Sequence, residues 1–515
     1  MTTLQLNPGL LTLDDLQALH AGGLTLTLNP SAHAPIAASA GVVQAAAAGD
    51  APVYGVNTGF GKLANKRISQ GELEALQRNL IRSHSVGVGA PLQPAVMRLM
   101  MALKAASLAR GYSGVRQVVV DTILAVHNAG LVPYVPSQGS VGASGDLAPL
   151  SHMTLALMGE GEMLVDGQRL PALAALEKAG IAPLTLQAKE GLALINGTQT
   201  STALALHALI TFEPVLESAL VIGALTVDAT RGSDGPFDPR IHELRGQPGQ
   251  IDVARYYRAL LAGSQIRQSH VEGDDRVQDP YCLRCQPQVV GACLDQLRHA
   301  ALILVREANA VTDNPLVFAE DGVLVSGGNF HAEPVALAAD AMAVAIAEVG
   351  AIAERRIAML IDAGVSQLPP FLSADAGLNS GFMIAHVTAA SLASENKSLA
   401  HPASVDSLPT SANQEDHVSM ATFAARRLQA MISNVSVILG IEWLASAQGI
   451  EFLRPLRSSA ALEQAHALLR AQCAPMPTDR YLAPDIERAT ALVSEGALSS
   501  VFRNLGGLPT LWKAV

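Results

Sequence analysis

Residues 137–150 read Ser-Gln-Gly-Ser-Val-Gly-Ala-Ser-Gly-Asp-Leu-Ala-Pro-Leu, with Gly139, Gly142 and Gly145 three apart. Glycine allows backbone conformations and close approaches that other residues forbid. Two readings follow. In the plain one, a flexible loop precedes a helix capped by Ser144 or Asp146. In the other, the backbone cyclises. The amide nitrogen of Gly145 attacks the carbonyl carbon of Ala143, and two waters leave, one of them carrying the Ser144 hydroxyl. A five-membered ring with an exocyclic methylene remains. Ala143 is small enough for the approach, Ser144 supplies the leaving hydroxyl, and Gly145 has no side chain to obstruct attack. An amide nitrogen is a poor nucleophile because its lone pair is delocalised, so the loop must compress this stretch.

Other chemical patterns fail on spacing. Gly55-Val-Asn-Thr-Gly-Phe-Gly61-Lys62-Leu63 looks like a phosphate loop, but its first Gly is one place early and Leu63 replaces the required Ser/Thr. Around Ser144 a nucleophile elbow would need Gly two residues on, where Asp146 stands. Cys282-x-x-Cys285 has no second pair of matching spacing, and Cys293 and Cys473 are isolated. His331-Ala-Glu333 and His270-Val-Glu272 lack the spacing of metal ligands on a helix, so no metal site is expected.

The run from Gly139 to Leu150 resembles the signature of the methylidene-imidazolone (MIO) ammonia-lyases and aminomutases. The resemblance continues in order along nearly the whole chain. It takes in Tyr54-Gly-Val-Asn-Thr-Gly-Phe-Gly61, Asn196-Gly-Thr-Gln, Gln278-Asp-Pro-Tyr281-Cys-Leu-Arg284, Asp313-Asn-Pro-Leu, Gly328-Asn-Phe330-His-Ala-Glu and Ser411-Ala-Asn-Gln-Glu415-Asp-His. It implies an MIO group made from Ala143, Ser144 and Gly145, with no external cofactor. Ammonium is a poor leaving group and the β-proton of an amino acid is barely acidic, so an electrophile that accepts electrons from the substrate has a physical purpose.

The resemblance also assigns roles. Tyr54 would be the base that takes the β-proton, which requires its phenol to ionise below the reference value near 10. Arg284 would pair with the substrate carboxylate through its planar fork. Asn196 and Tyr281 would hydrogen-bond the electrophile or the amino group, while Gln278 and Phe330 would line the pocket. Taken singly, each of these residues is as well explained by a helix-end or loop hydrogen bond, a surface salt bridge or core packing. Substrate choice rests on two places. Ser83-His84 falls where phenylalanine-specific relatives carry Phe-Leu and tyrosine-specific ones His-Leu, and a polar pair fits an imidazole. Glu415 falls where aryl-specific relatives tend to carry an amide, and a carboxylate can hold an imidazolium or the amine. The expected substrate is L-histidine, and the expected products are trans-urocanate and ammonia.

The elements that would position these residues are helical. The 515 residues are 49% apolar, 4% aromatic and 15% charged, with a net charge of −11. Without a dense Lys/Arg run, no nucleic-acid partner is expected. No charge-free apolar run reaches ~18 residues, so no membrane span is expected. No Lys or Arg precedes Lys62, and there are four cysteines. A cytoplasmic protein is therefore expected. Ser69 and Glu72 form a capping box ahead of a helix. Helices are expected to stop at Gly111 and, from about Val115, at Gly130. Long helices are expected over 198–228, 288–310, 333–362 and 415–447, with polar loops over 232–250, 267–287 and 363–414. Asp166-Gly167 and Asp321-Gly322 suit two-residue hairpin turns. A soft boundary near Tyr112 divides a smaller N-terminal domain, 1–112, from a mostly helical domain, 113–515. The resemblance implies a mainly α fold with a long antiparallel central bundle related to that of fumarase. It also implies a homotetramer whose active sites are shared between subunits.

Three other readings stay open on the residues alone. A sister chemistry would act on phenylalanine or tyrosine, or return ammonia to the β-carbon. A silent helical scaffold would leave Ala143-Ser144-Gly145 unmodified. A metal- or nucleotide-dependent enzyme would need motifs that fail above.

Overall fold

Alanine and leucine dominate the four helices that carry the molecule, Gln199–Ala229, Gln286–Ala308, Glu333–Ile361 and Leu428–Leu453. The computed structural model describes residues 2–274, 276–506, 508 and 510–512. The four helices pack side by side, joined by Pro248–Leu261, which lies on Gln286–Ala308. Pro287 and Pro334 sit in the first turns of their helices, where a missing N–H costs nothing. Each of the four is long and apolar enough to cross a membrane, and 44–78% of their most apolar windows is buried inside the chain. One apolar cluster runs from Leu6 to Leu511. The fold is mainly α, as expected.

A buried ion pair stands in the middle of the bundle. Arg356 Nε donates to Glu442 Oε1 at 2.5 Å and a second guanidinium nitrogen donates to Oε2 at 2.8 Å, with both side chains at most 1% exposed. Thr226 Oγ1 donates to the same carboxylate at 2.6 Å, and Arg356 also donates to Gln286 Oε1 at 2.9 Å. One ion pair thus ties all four helices together.

Strands are short. Thr2–Leu6 pairs in parallel with Leu24–Leu28, and Val88–Pro91 pairs antiparallel with Pro136–Gln138 just before the glycine-rich loop. Asp166 and Gly167 form the expected two-residue turn, both with positive φ, because Val165 faces Gln168. The second hairpin differs. Phe318 faces Val323, so four residues connect its strands, and Asp321 is not left-handed.

Helix ends fall near expectation at Leu108 and Asn128. Ser69 and Glu72 bond each other through their side chains at 2.5 Å, but Ser69 does not cap the backbone, and a 3-10 turn leads into Leu73–His84. Two larger corrections concern the segment after Asp362. The expected loop 363–414 contains a 17-residue helix, Met383–Leu399. Its buried face is the small-residue series Ala385, Ala389, Ala393 and Asn396, too weakly apolar to stand out from its Ser and Thr neighbours. The helix expected from Glu415 begins at Ala421, because Met420 before it is left-handed, and it runs on to Leu453. Glu415 therefore lies in a loop.

Removing one partner of a buried ion pair costs ~3–5 kcal/mol because the other charge is stranded. Glu442→Leu is expected to lower the thermal unfolding temperature sharply. The double change Arg356→Met with Glu442→Leu should recover most of that loss; no recovery would show that the pair is not the source of the cost.

Candidate active site

The glycine-rich loop is held on three sides. Met420 N donates to Val141 O at 2.8 Å, Ala332 N donates to Gly142 O at 3.2 Å, and Asp146 N donates to Gly197 O at 2.7 Å. Each of those partners stands at or beside the start of a helix: Ala421–Arg426, Glu333–Ile361 and Gln199–Ala229. A fourth helix, Leu147–Leu157, starts at Asp146 itself. Four helix N-termini, each carrying a partial positive charge, therefore meet at residues 141–146.

Asp146 is fully buried and does not cap its own helix. Its Oδ1 accepts from Ser140 Oγ at 2.9 Å and Thr422 Oγ1 at 2.7 Å. Its Oδ2 accepts from Ser201 N at 2.7 Å and Ser201 Oγ at 2.9 Å. The carboxylate thus caps the neighbouring Gln199–Ala229 helix, which the plain reading of a Ser144 or Asp146 cap did not foresee. Gly145 has φ +77°, and a Cβ on it would stand 2.3 Å from both N and O of Gly197. No larger residue fits between the two backbones.

Ser144 meets two partners. Its carbonyl oxygen accepts from Asn196 Nδ2 at 2.8 Å, and its Oγ donates to Glu415 Oε1 at 2.5 Å. Asn196 Oδ1 is buried without a partner. Thr410 Oγ1 donates to the other Glu415 oxygen. Ahead of Glu415, Ser411, Ala412 and Asn413 are all left-handed, with φ of 50°, 54° and 63°. Three such non-glycine residues in succession are strained, and strain of this kind gathers at functional sites.

A cavity of about 1480 Å³ opens over Ser144. Tyr54, His84, Ala143, Asn196, Phe330 and Glu415 line it, with Gly145 buried behind. Asn57 shapes the Tyr54 turn, accepting from Val53 N at 2.7 Å and donating to Ala51 O at 3.0 Å. Gly61 N donates to the Tyr54 phenol oxygen at 3.4 Å. His84 Nδ1 lies 2.8 Å from Leu80 O, so the tautomer that donates there leaves Nε2 as an acceptor. The remaining three expected residues lie elsewhere on the chain. Tyr281 is 70% exposed, Arg284 stacks over its ring at 4.7 Å and donates to Asp279 O at 2.9 Å, and Gln278 is exposed. None of the three lines the cavity.

Several lining residues were given no role in the sequence. His331 and His417 stack at 5.8 Å, and Glu333 Oε2 is buried without a partner. Their neighbours Phe330 and Glu415 were the available signal, since a loop that delivers one side chain delivers the next. Cys282 lies with its sulfur 3.8 Å from Met359 Sδ, and burial pushes its thiol up.

The loop can hold Ala143, Ser144 and Gly145 in one rigid, tightly packed conformation, with a carboxylate on the serine hydroxyl and an amide on its carbonyl. These features fit an MIO precursor. The aromatic amino acid lyase family matches residues 11–471. A histidine ammonia-lyase of Rhodospirillum rubrum is 61% identical over 497 residues, covering 96% of this chain and 97% of that protein. The histidine ammonia-lyase of Trypanosoma cruzi has a solved structure that superposes with a TM-score of 0.91 at 42% identity, covering 100% of this chain and 97% of that one. A tyrosine aminomutase of Streptomyces globisporus superposes at 0.92 with 34% identity, covering 99% of each.

Gly145→Ala would place a methyl group on the Gly197 backbone in a disfavoured conformation, a strain of ~1–3 kcal/mol before any overlap is counted. Thermal unfolding should show a less stable protein, and turnover should be lost. A fully active, equally stable variant would refute the close contact.

Proposed function

The chain belongs to the aromatic amino acid lyase family, and we propose that it removes ammonia from L-histidine to give trans-urocanate, the first step of histidine degradation. One observation carries the mechanism: the Ala143–Gly145 backbone is locked against Gly197 while Glu415 and Asn196 hold the hydroxyl and carbonyl of Ser144. We assign the MIO group to these three residues. Once formed, it supplies an electrophile that draws electrons from the bound substrate.

The chain's own groups do the rest. Tyr54 Oη takes the β-proton, and the Gly61 N–H holds that oxygen in place. Glu415 offers a carboxylate to the substrate's amine or imidazole. His84 Nε2 accepts the imidazole N–H, an interaction that a phenyl ring cannot make. Phe330 packs against the substrate ring, and Asn196 steadies the electrophile. The loop lies where four helices start, which keeps the positive ends of their dipoles close.

Gln278, Tyr281 and Arg284 complete the site from partner subunits. Support comes from their absence from the cavity and from apolar side chains left outside the bundle. Leu337 and Val344, 55% and 54% exposed, lie two turns apart on Glu333–Ile361, and Ile384 and Val387, 63% and 55% exposed, sit on Met383–Leu399. We place the protein as a cytoplasmic homotetramer. Within it, residues 1–112 form the smaller domain that brings Tyr54 and His84, and residues 113–515 bring the loop and the bundle.

The test is direct. Dialysed protein mixed with L-histidine should yield urocanate and ammonia in equal amounts. Cinnamate or coumarate from phenylalanine or tyrosine, with nothing from histidine, would overturn the substrate. Tyr54→Phe should keep the mass deficit of two waters yet lose turnover by ~10²–10⁴-fold, the usual worth of a positioned base. Unchanged turnover would remove Tyr54 from its role.

A further inference from the structure

Lys104 places an amine in the apolar core. It lies on Pro94–Leu108, is 1% exposed, and reaches neither solvent nor the cavity. Its Nζ donates to Ala193 O at 3.1 Å and Asn196 O at 2.8 Å. Both carbonyls belong to the C-terminal end of the short helix Glu190–Ile195, where acceptors have no intrahelical partner and the dipole is negative. Burial pushes Lys104 down to about 7, with Asp313 and Asp146 opposing that shift and Lys189 adding to it. Lys189 is itself paired to Asp313 at 2.8 Å. Burying an amine is costly, and a hydrocarbon chain in its place would leave the Ala193 and Asn196 carbonyls without this donor.

What Lys104 holds explains the arrangement. Asn196 is gripped on one side by Lys104 through its carbonyl, and on the other its side-chain amide donates to Ser144 O. Gly197 follows, pressed on Gly145 and accepting from Asp146 N. Thr198 N donates to Thr312 Oγ1 at 3.3 Å and closes the turn. The stretch 196–198 is therefore the wall behind the Ala143–Gly145 loop, and Lys104 braces that wall.

We propose that Lys104 is a positioning residue for ring formation, holding the Asn196-Gly197 peptide rigid so that the Ala143–Gly145 backbone stays compressed enough to close. The inference rests on the assignment of the MIO group made above. In the closing step a bond forms between Gly145 N and Ala143 C, and the Gly145 N–H proton passes to the Ala143 oxygen. That hydroxyl leaves as water with the proton of Ser144 N, giving a C=N bond. The Ser144 hydroxyl leaves as a second water with the Ser144 Cα proton, giving the exocyclic methylene. No oxidant or co-reactant is needed.

Intact-protein mass spectrometry tests this without reference to turnover, on full-length wild type, Ser144→Ala, Lys104→Met and Lys104→Gln compared at equal helical circular dichroism. Wild type should be lighter than its sequence by two waters, and Ser144→Ala should not. Lys104→Met should be folded yet mostly at full sequence mass. Lys104→Gln, which can still donate to one carbonyl, should be modified in an intermediate fraction. A Lys104→Met protein lacking two waters in full would overturn the inference, as would failure of both Lys104 variants to fold, which would make Lys104 a residue of the core alone. Wild type at full sequence mass would instead remove the MIO assignment itself.

Discussion

The buried carboxylate of Asp146 is the point on which the site depends. It accepts from Ser140 in its own loop, from Thr422 in the first turn of Ala421–Arg426 and from Ser201 in the first turn of Gln199–Ala229. A carboxylate without water is tolerated only when its lone pairs are filled, and here they are filled by three separate segments. Any of those segments can move only by leaving a buried charge short of a partner. The loop is rigid for that reason, although its composition reads as flexible.

That difference between composition and behaviour shows what the sequence could reveal. The order and spacing of glycines, with Ala143, Ser144 and Gly145 between them, pointed to backbone chemistry, and the long Ala/Leu stretches pointed to the bundle. Helix bounds followed from proline and glycine to within a few residues. What could not be read was set by tertiary contact. Asp146 caps a helix more than fifty residues away in sequence from its own. Met420 is left-handed and its N–H bonds Val141 O, the helix begins only after it, and Glu415 lies in the loop ahead, lining the cavity. The Met383–Leu399 helix buries alanines, whose pattern carries little contrast. Lys104 reads as one cation in an apolar helix until Asn196 is seen on its amine.

The cavity also divides the candidate residues by origin. Those on the N-terminal Tyr54 turn, the Leu73–His84 helix, the glycine-rich loop and the loops at 330 and 415 converge within one chain. The segment 278–284 does not join them. Sequence order gives no hint of that split, since Asn196 and Gln278 look equally close to the chemistry. Apolar side chains also stand exposed on Glu333–Ile361 and Met383–Leu399.

The four helix starts around residues 141–146 carry one more consequence. A cationic side chain in such a place would lose its charge as protons became scarce, and its influence would rise and fall with the medium. Peptide dipoles have no proton to give up, and when buried they are poorly screened by dissolved ions. Across the range where amines and imidazoles change charge, this share of the potential at Ser144 stays constant. The fold has written that part of its electrostatics into backbone direction, where acidity cannot erase it.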